Sequence, residues 1–347
     1  MSRVRRIALV RLSALGDVVM VLPLLHSLRH ALPQVEITWV IGEPVFPIVE
    51  GFPGVQFIPI SKPRHWQDYR SLRARLYKEH FDVALCLQAS LRTNLIYPLL
   101  QAPIKIGYDY RRARDGQWLF TTHRIPFTRT HLVDSFLSFL DPLGITDRVI
   151  RWELPIDNEA RAWARAIRGD ENKARLLAVN PSASKPERNW PVDRFIDVLR
   201  AVQQQHAVKI VLTGGPGETE QARCRQIAEG LLAPTINLCG QTNPKQLAAI
   251  LAEADALLAP DTGPVHIAVA VGTPVVGLYA VAPSELSGPY QQSDGVVNCF
   301  PEAVRRILGK DPASLSWGTR VHDSAAMNLI SVTAVLEKLN HALRAKG

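Results

Sequence analysis

Three stretches place hydroxyls, cations or carboxylates where an apolar run hands over to an amphipathic one. In ALLAPDTGPVHIAVAVGTPVVGLYA, residues 256–280, a buried strand ends at Pro260 and a helix opens near Val265–His266. The turn between them, Asp261-Thr262-Gly263, offers free backbone N–H groups and a hydroxyl to a phosphate. Alternatively it is a plain helix start capped by Asp261 or Thr262. The Asp-Thr-Gly triplet of aspartic proteases is excluded, because it occurs once and opens a helix. NPSASKPERNWP, residues 180–191, follows another strand with Ser182, Ser184, Lys185 and Arg188, a set suited to a diphosphate or to a solvated, proline-broken loop. LTGGPGETEQAR, residues 212–223, runs from Thr213 through glycines into a helix. Its carboxylates Glu218 and Glu220 oppose an anion and suit ribose hydroxyls, or simply complement the helix dipole.

A fourth stretch, LVRLSALGDVVMVLP at 9–23, has one glycine where a dinucleotide turn carries three. Gly16 permits a tight bend and Asp17 is what the bend presents. Asp17 would repel a pyrophosphate, which argues against a nicotinamide-dependent oxidoreductase even though Glu43 could serve as its ribose acid. As a general base Asp17 faces a tension, since a helix N-terminus stabilises the charged carboxylate. Repulsion from a nearby diphosphate, or desolvation, would counter that effect. The purely structural alternative is a helix N-cap. Basic residues gather in the same half: Lys62, Arg64, His65, Arg70, Arg92, Arg111, Arg112, Arg114 and His131. They suit an anionic small molecule or a lipid headgroup, and no nucleic-acid module is recognisable. Arg73 and Arg75, within a helical pattern, read as a solvated face.

These groups need a frame. Short β-branched runs alternate with amphipathic stretches, the pattern of βαβ units around parallel sheets. Strands are expected at Ile7–Val10, Glu36–Ile41, Val55–Pro59, Val83–Leu87 and Ile104–Gly107. A second series falls at Leu176–Asn180, Lys209–Thr213, Ile236–Leu238, Ala256–Ala259 and Val275–Tyr279. Helices are expected at Asp17–Leu32, Asp68–Glu79, Val192–Gln204, Glu218–Glu229, Pro244–Glu253, Val265–Val271 and Val332–Ala345. A polar, charged stretch at 155–172 marks the joint. The expected domains are 1–165, 166–330, and a C-terminal helix at 331–347 that packs back on the first. With 347 residues, 47% hydrophobic and 21% charged, the chain is an ordinary globular protein of two domains. Its net charge of +8 suggests an anionic partner. Four scattered cysteines give no metal-site spacing and fit a reducing cytoplasm. The basic N-terminus is interrupted by Arg11 and Asp17 and does not read as a signal peptide. No apolar run is long enough to span a membrane, so any membrane contact is expected to be peripheral.

Taken together, RLSALGDVVMVLP, NPSASKPERNWP and PDTGPVHIAVAVGTPVVGLY resemble, in order and spacing, the ADP-heptose–lipopolysaccharide heptosyltransferases, glycosyltransferase family 9. DGQWLF, HRIP and HLVDSFLSF look most like the heptosyltransferase I group. The departure is SELSGP at 284–289, where many relatives carry an arginine in place of Leu286. The resemblance implies a GT-B fold, two Rossmann-like doubly wound domains facing across a cleft. It implies inverting transfer of L-glycero-D-manno-heptose from ADP-heptose to a Kdo hydroxyl of Kdo–lipid A, with no metal, no cofactor and no nucleic acid. Asp17 matches the general base. Ser182, Ser184, Lys185, Arg188, Thr213, Glu218, Asp261, Thr262, Gly263 and His266 would hold the donor, with Glu220 competing for the ribose. Ser13, Gly16, Lys62, Arg64, Arg92, Arg112 and His131 would meet the acceptor. The expected location is the cytoplasmic side of the inner membrane, attached peripherally.

Overall fold

Runs that are apolar at every position, rather than alternating, need burial on both faces and so form the inner strands of parallel sheets. The computed structural model describes residues 4–169 and 174–344 and divides into two compact units, Met1–Pro155 and Ile156–Gly347. The first contains β1 (Arg6–Arg11), β2 (Glu36–Gly42), β3 (Val55–Ile60), β4 (Val83–Cys86), β5 (Ile104–Gly107) and β6 (His123–Arg124). Its helices are α1 (Leu15–Met20), α2 (Leu22–Ala31), α3 (Trp66–Leu76), α4 (Leu91–Asn94) and α5 (Leu132–Leu137). The second has β7 (Arg175–Val179), β8 (Val208–Leu212), β9 (Ile236–Asn237), β10 (Ala256–Pro260), β11 (Val275–Tyr279) and β12 (Val296–Asn298). Its helices are α6 (Asn158–Arg168), α7 (Val192–Gln205), α8 (Glu218–Glu229), α9 (Pro244–Glu253), α10 (Gly263–Ala270), α11 (Ser284–Ser287), α12 (Phe300–Ala303) and α13 (Val332–Arg344).

Both sheets are wholly parallel and have one plan. The orders are β3-β2-β1-β4-β5-β6 and β12-β11-β10-β7-β8-β9, which is the same doubly wound sequence read from opposite edges. The order reverses beside β1 in one unit and beside β7 in the other, so ligands are expected at the carboxyl ends of those strands.

Several expectations change. The division between units falls at Pro155/Ile156, ahead of the expected 165, and part of the stretch expected to be a joint lies outside the described residues. Most of the rest of it is α6. Asp157 caps this helix by accepting the Ala160 N–H at 2.8 Å, and the helix buries Ala160 and Ala164 while packing on α9. The first expected helix breaks at Val21 into α1 and α2, with Pro23 in the opening turn of α2. Val335, Leu339, Ala342 and Leu343 of α13 join the second unit's core, against α7 and β10–β12. Its expected end, Ala345, lies outside the described residues. Edge strands β6 and β12 and the short helix α5 had no expectation. All four cysteines are free thiols. Among the described residues no helix is long and apolar enough to cross a membrane.

Candidate functional site

In the first unit the turn after β1 is built around Asp17. The helix starts earlier than expected, at Leu15, with Ala14 as N-cap. Asp17 is therefore the third helical residue and not the cap. Its Oδ2 accepts the Ala14 N–H at 3.0 Å and pairs with the Arg11 guanidinium. Gly16 sits inside the helix, so the bend falls before it, in the loop through Ser13 and Ala14. Arg11 is itself fixed: it donates to the Leu87 carbonyl at 2.6 Å and stacks on the Phe136 ring at 5.4 Å. Burial works against the Arg11 charge, but Asp17 and the neighbouring Tyr108 and Tyr97 outweigh it and hold its pKa above the ordinary arginine value. Asp17 Oδ1 has no hydrogen bond among the described residues, and the side chain keeps about a quarter of its surface exposed (24%). Asp17 is thus held in orientation with one oxygen left over.

Beside this turn, a cavity of about 800 Å³ opens at the carboxyl ends of β1, β2 and β3. Its polar lining includes Ser13, Glu43, Lys62, Arg64, His65 and Arg75. Gly42 is needed here, because a Cβ would lie 2.2 Å from the Leu12 carbonyl oxygen. Of the expected acceptor residues, the structure gathers Ser13, Lys62 and Arg64 at this cavity; Arg92, Arg112 and His131 are not among its lining. Arg112 is bound up in the fold: it pairs with Asp109 and donates to Ser135 Oγ (2.7 Å) and the Pro126 carbonyl (2.8 Å). His131 caps α5, its Nδ1 accepting the Val133 N–H at 3.1 Å. Arg92 is exposed on α4. Arg75, read from sequence as a solvated face, reaches the cavity and donates to the Pro59 carbonyl at 3.1 Å.

In the second unit the loops after β7 and β10 meet. Arg188 Nη1 pairs with Asp261 at 3.0 Å and also donates to its carbonyl at 3.3 Å, with about nine-tenths of both side chains buried. Ser287 Oγ donates to the same carboxylate at 3.5 Å. Two donors nearby are buried with no hydrogen-bond partner among the described residues, Arg188 Nε and Ser182 Oγ. Buried donors without a partner are uncommon in native proteins, and Arg11 Nε in the first unit's turn is another. Thr262 holds the N-cap position of α10 but makes no side-chain capping bond, so its hydroxyl is not engaged with its own helix. His266 is buried one turn on, while Ser184 and Lys185 stand exposed at the loop tip.

Two expected donor residues have other work. Thr213 is wholly buried and its hydroxyl donates to Asn180 Oδ1 at 3.3 Å, so it holds the strand ends together. Glu220 accepts the Gly215 N–H at 2.6 Å and closes its own loop; Glu218, exposed at the first position of α8, is the carboxylate left open. Arg223 was missed from sequence. From α8 it donates to the Pro181 carbonyl at 3.1 Å and to the Trp190 carbonyl, stapling the phosphate-type loop at both ends.

A family model described as glycosyltransferase family 9 (heptosyltransferase) matches residues 69–306, more than half the chain. The chain belongs to this family. The glycosyltransferase is 32% identical over 337 residues to the lipopolysaccharide core heptosyltransferase OpsX of Haemophilus influenzae, covering 96% of each chain. A crystal structure of a family 9 glycosyl transferase from Veillonella parvula superposes with a TM-score of 0.80 at 24% identity, covering 99% of this chain and 98% of that one. Escherichia coli heptosyltransferase WaaC with ADP superposes with a TM-score of 0.72 at 19% identity, covering 97% and 99%. Both likenesses establish the GT-B architecture of this glycosyltransferase.

Proposed function

We propose that this glycosyltransferase moves L-glycero-D-manno-heptose from ADP-heptose to a Kdo hydroxyl of the lipopolysaccharide inner core, with inversion at the anomeric carbon. It would work at the cytoplasmic face of the inner membrane. The observation that carries this reading is the pairing of two unlike sites on one sheet plan. One holds an oriented carboxylate beside a basic cavity, and the other an oriented guanidinium between two phosphate-type turns.

Single displacement needs the acceptor hydroxyl deprotonated as the bond to the anomeric carbon forms. Asp17 Oδ1 is the acceptor for that proton, contributing about 10²–10⁴-fold. The departing ADP gains charge on its β-phosphate. Arg188, Lys185 and the α10 N-terminus behind Thr262 supply positive potential there. Ser182 and Ser184 donate to phosphate oxygens, His266 lines the nucleotide-sugar turn, and Glu218 accepts from the ribose. On the acceptor side Lys62, Arg64 and Arg75 suit the carboxylate of a sugar acid better than an uncharged heptose. That favours Kdo over a later core heptose.

The test is transfer from ADP-heptose to a panel of truncated lipopolysaccharides. Heptosylation of the Kdo-terminated acceptor is expected. Heptosylation only of longer cores would overturn the acceptor, and consumption of a different sugar nucleotide would overturn the donor.

A further inference from the structure

Seven of the eight large apolar side chains that the described residues expose lie in the first unit, between Trp66 and Leu119. Contacts link the elements that carry five of them, Trp66, Leu91, Tyr110, Trp118 and Leu119. The Trp66 ring lies 6.5 Å from that of Tyr69, whose hydroxyl donates to the Arg92 carbonyl at 3.1 Å. The adjacent Leu91 N–H donates to Asp115 at 2.9 Å, in the 3₁₀ segment that carries Trp118 and Leu119. The Tyr110 ring sits 6.2 Å from Trp118, and Arg124 covers it at 4.3 Å. Exposure is large: 74% at Trp66, 58% at Leu91, 68% at Tyr110 and 65% at Leu119.

Isolated exposed apolar residues are ordinary, whereas a connected set marks an interaction surface. The surroundings decide the partner. From Lys62 to Arg124 the chain has twelve Lys and Arg against five Asp and Glu, a net +7 out of the whole chain's +8. A second copy would bring like charge against like charge. Amphipathic aromatic rings and leucines on the same elements as Arg70, Arg73, Arg92 and Arg114, with Arg124 over Tyr110, match a bilayer that carries phosphate headgroups over hydrocarbon.

We propose that the surface of α3, α4 and the Arg114–Leu119 segment docks on an anionic phospholipid bilayer, with Trp118 and Leu119 entering it. This deepens the function proposed above, in which the acceptor is built on a lipid. Its test uses vesicles holding neither donor nor acceptor, so failure here leaves the transfer reading intact.

The full chain is sedimented with vesicles of phosphatidylcholine alone or mixed with phosphatidylglycerol. Binding is expected only to the anionic vesicles and is expected to weaken as salt shortens the screening length towards about 3 Å near 1 M. The double variant Trp118→Ser/Leu119→Ser should lose about tenfold in partitioning or more, at an unchanged unfolding midpoint. Should that pair fail to fold, Leu91→Ser gives the same readout with a smaller loss. Equal binding to neutral vesicles overturns the proposal. So do variants that bind as the parent does, or variants that change self-association in sedimentation equilibrium rather than vesicle binding.

Discussion

Each unit opens its fourth strand with an aspartate, and the two aspartates do the same thing. Asp82, just before β4, donates its N–H to the Arg6 carbonyl at 2.9 Å. Its carboxylate accepts the Arg5 and Arg6 N–H groups at 2.7 and 2.9 Å. Asp255, just before β10, donates to the Leu176 carbonyl at 2.8 Å and accepts the Leu176 N–H at 2.7 Å. Each closes the entry of its unit's first strand, at the amino end of the sheet. At the carboxyl ends the units part. In the first, Arg11 and Asp17 share one strand–helix turn; Arg11 Nε is buried without a hydrogen-bond partner, and the more exposed member of the pair is the carboxylate. In the second, Arg188 and Asp261 come from separate turns, and the open atom belongs to the guanidinium. One frame thus presents a partly exposed carboxylate in one copy and a buried guanidinium in the other.

The sharpest way to break that comparison is Asp17→Asn. The amide still accepts the Ala14 N–H but cannot take a proton. Turnover should fall by about 10²–10⁴-fold, while ADP binding, read by calorimetry, stays as it was. Near-normal turnover would remove Asp17 as base. Lost ADP affinity would mean that the two turns do not divide the chemistry.

Arg188→Ala is the mirror experiment and should act on binding. A charge-assisted hydrogen bond contributes about 1.5–3 kcal/mol, so ADP should bind about ten- to a hundredfold more weakly. The acceptor KM should not move. A Lys at the same position should recover little, because it lacks the planar fork that reaches both Asp261 and a phosphate. If Arg188→Ala binds ADP as tightly as the parent, the orphaned Nε is not a ligand position.

How far the sequence disclosed this division depends on the range of each signal. The inner strands were legible because a run such as ALLAP is apolar at every residue, and the structure buries all five. His123–Arg124 and Val296–Asn298 were not, since an edge strand of two or three residues has no period to detect. The charge on α6 concealed the two alanines that pack it on α9. In α13 the amphipathic stripe showed that the helix packs but not on which unit. Arg188 and Asp261 were each singled out in the sequence. Their pairing was not, because 73 positions separate them and only the fold closes that distance. Arg223 lies inside an expected helix with nothing in its sequence neighbourhood to single it out. Asp82 and Asp255 fall one residue ahead of expected strands and were not singled out, since nothing local distinguishes a carboxylate that closes a strand.

These two aspartates give the last prediction, small in activity and larger in stability. Both carboxyls titrate below the ordinary 3.8. For Asp82 the cause is the Arg5 and Arg6 N–H groups. For Asp255 burial works the other way, but the Arg168 bond, the Leu176 N–H and the charges of Arg168 and Arg175 outweigh it. Asp255→Asn leaves Arg168, 7% exposed, without its carboxylate, at a cost of about 3 kcal/mol. That corresponds to a fall in the unfolding midpoint of roughly 10 °C. Asp82→Asn, at an exposed site, should cost less. The pH dependence follows from the shifts. Because the folded pKa values are depressed, the unfolded chain takes the proton first as pH falls through 3.8. The contribution is complete above that value and is lost towards the lower folded pKa. Calorimetry across that range should therefore show parent and Asp255→Asn proteins converging as pH falls, with turnover per folded molecule at neutral pH equal in both. A gap that stays constant would mean that Asp255 acts by shape and not by charge. Altered turnover would mean that the two ends of the sheet are not independent.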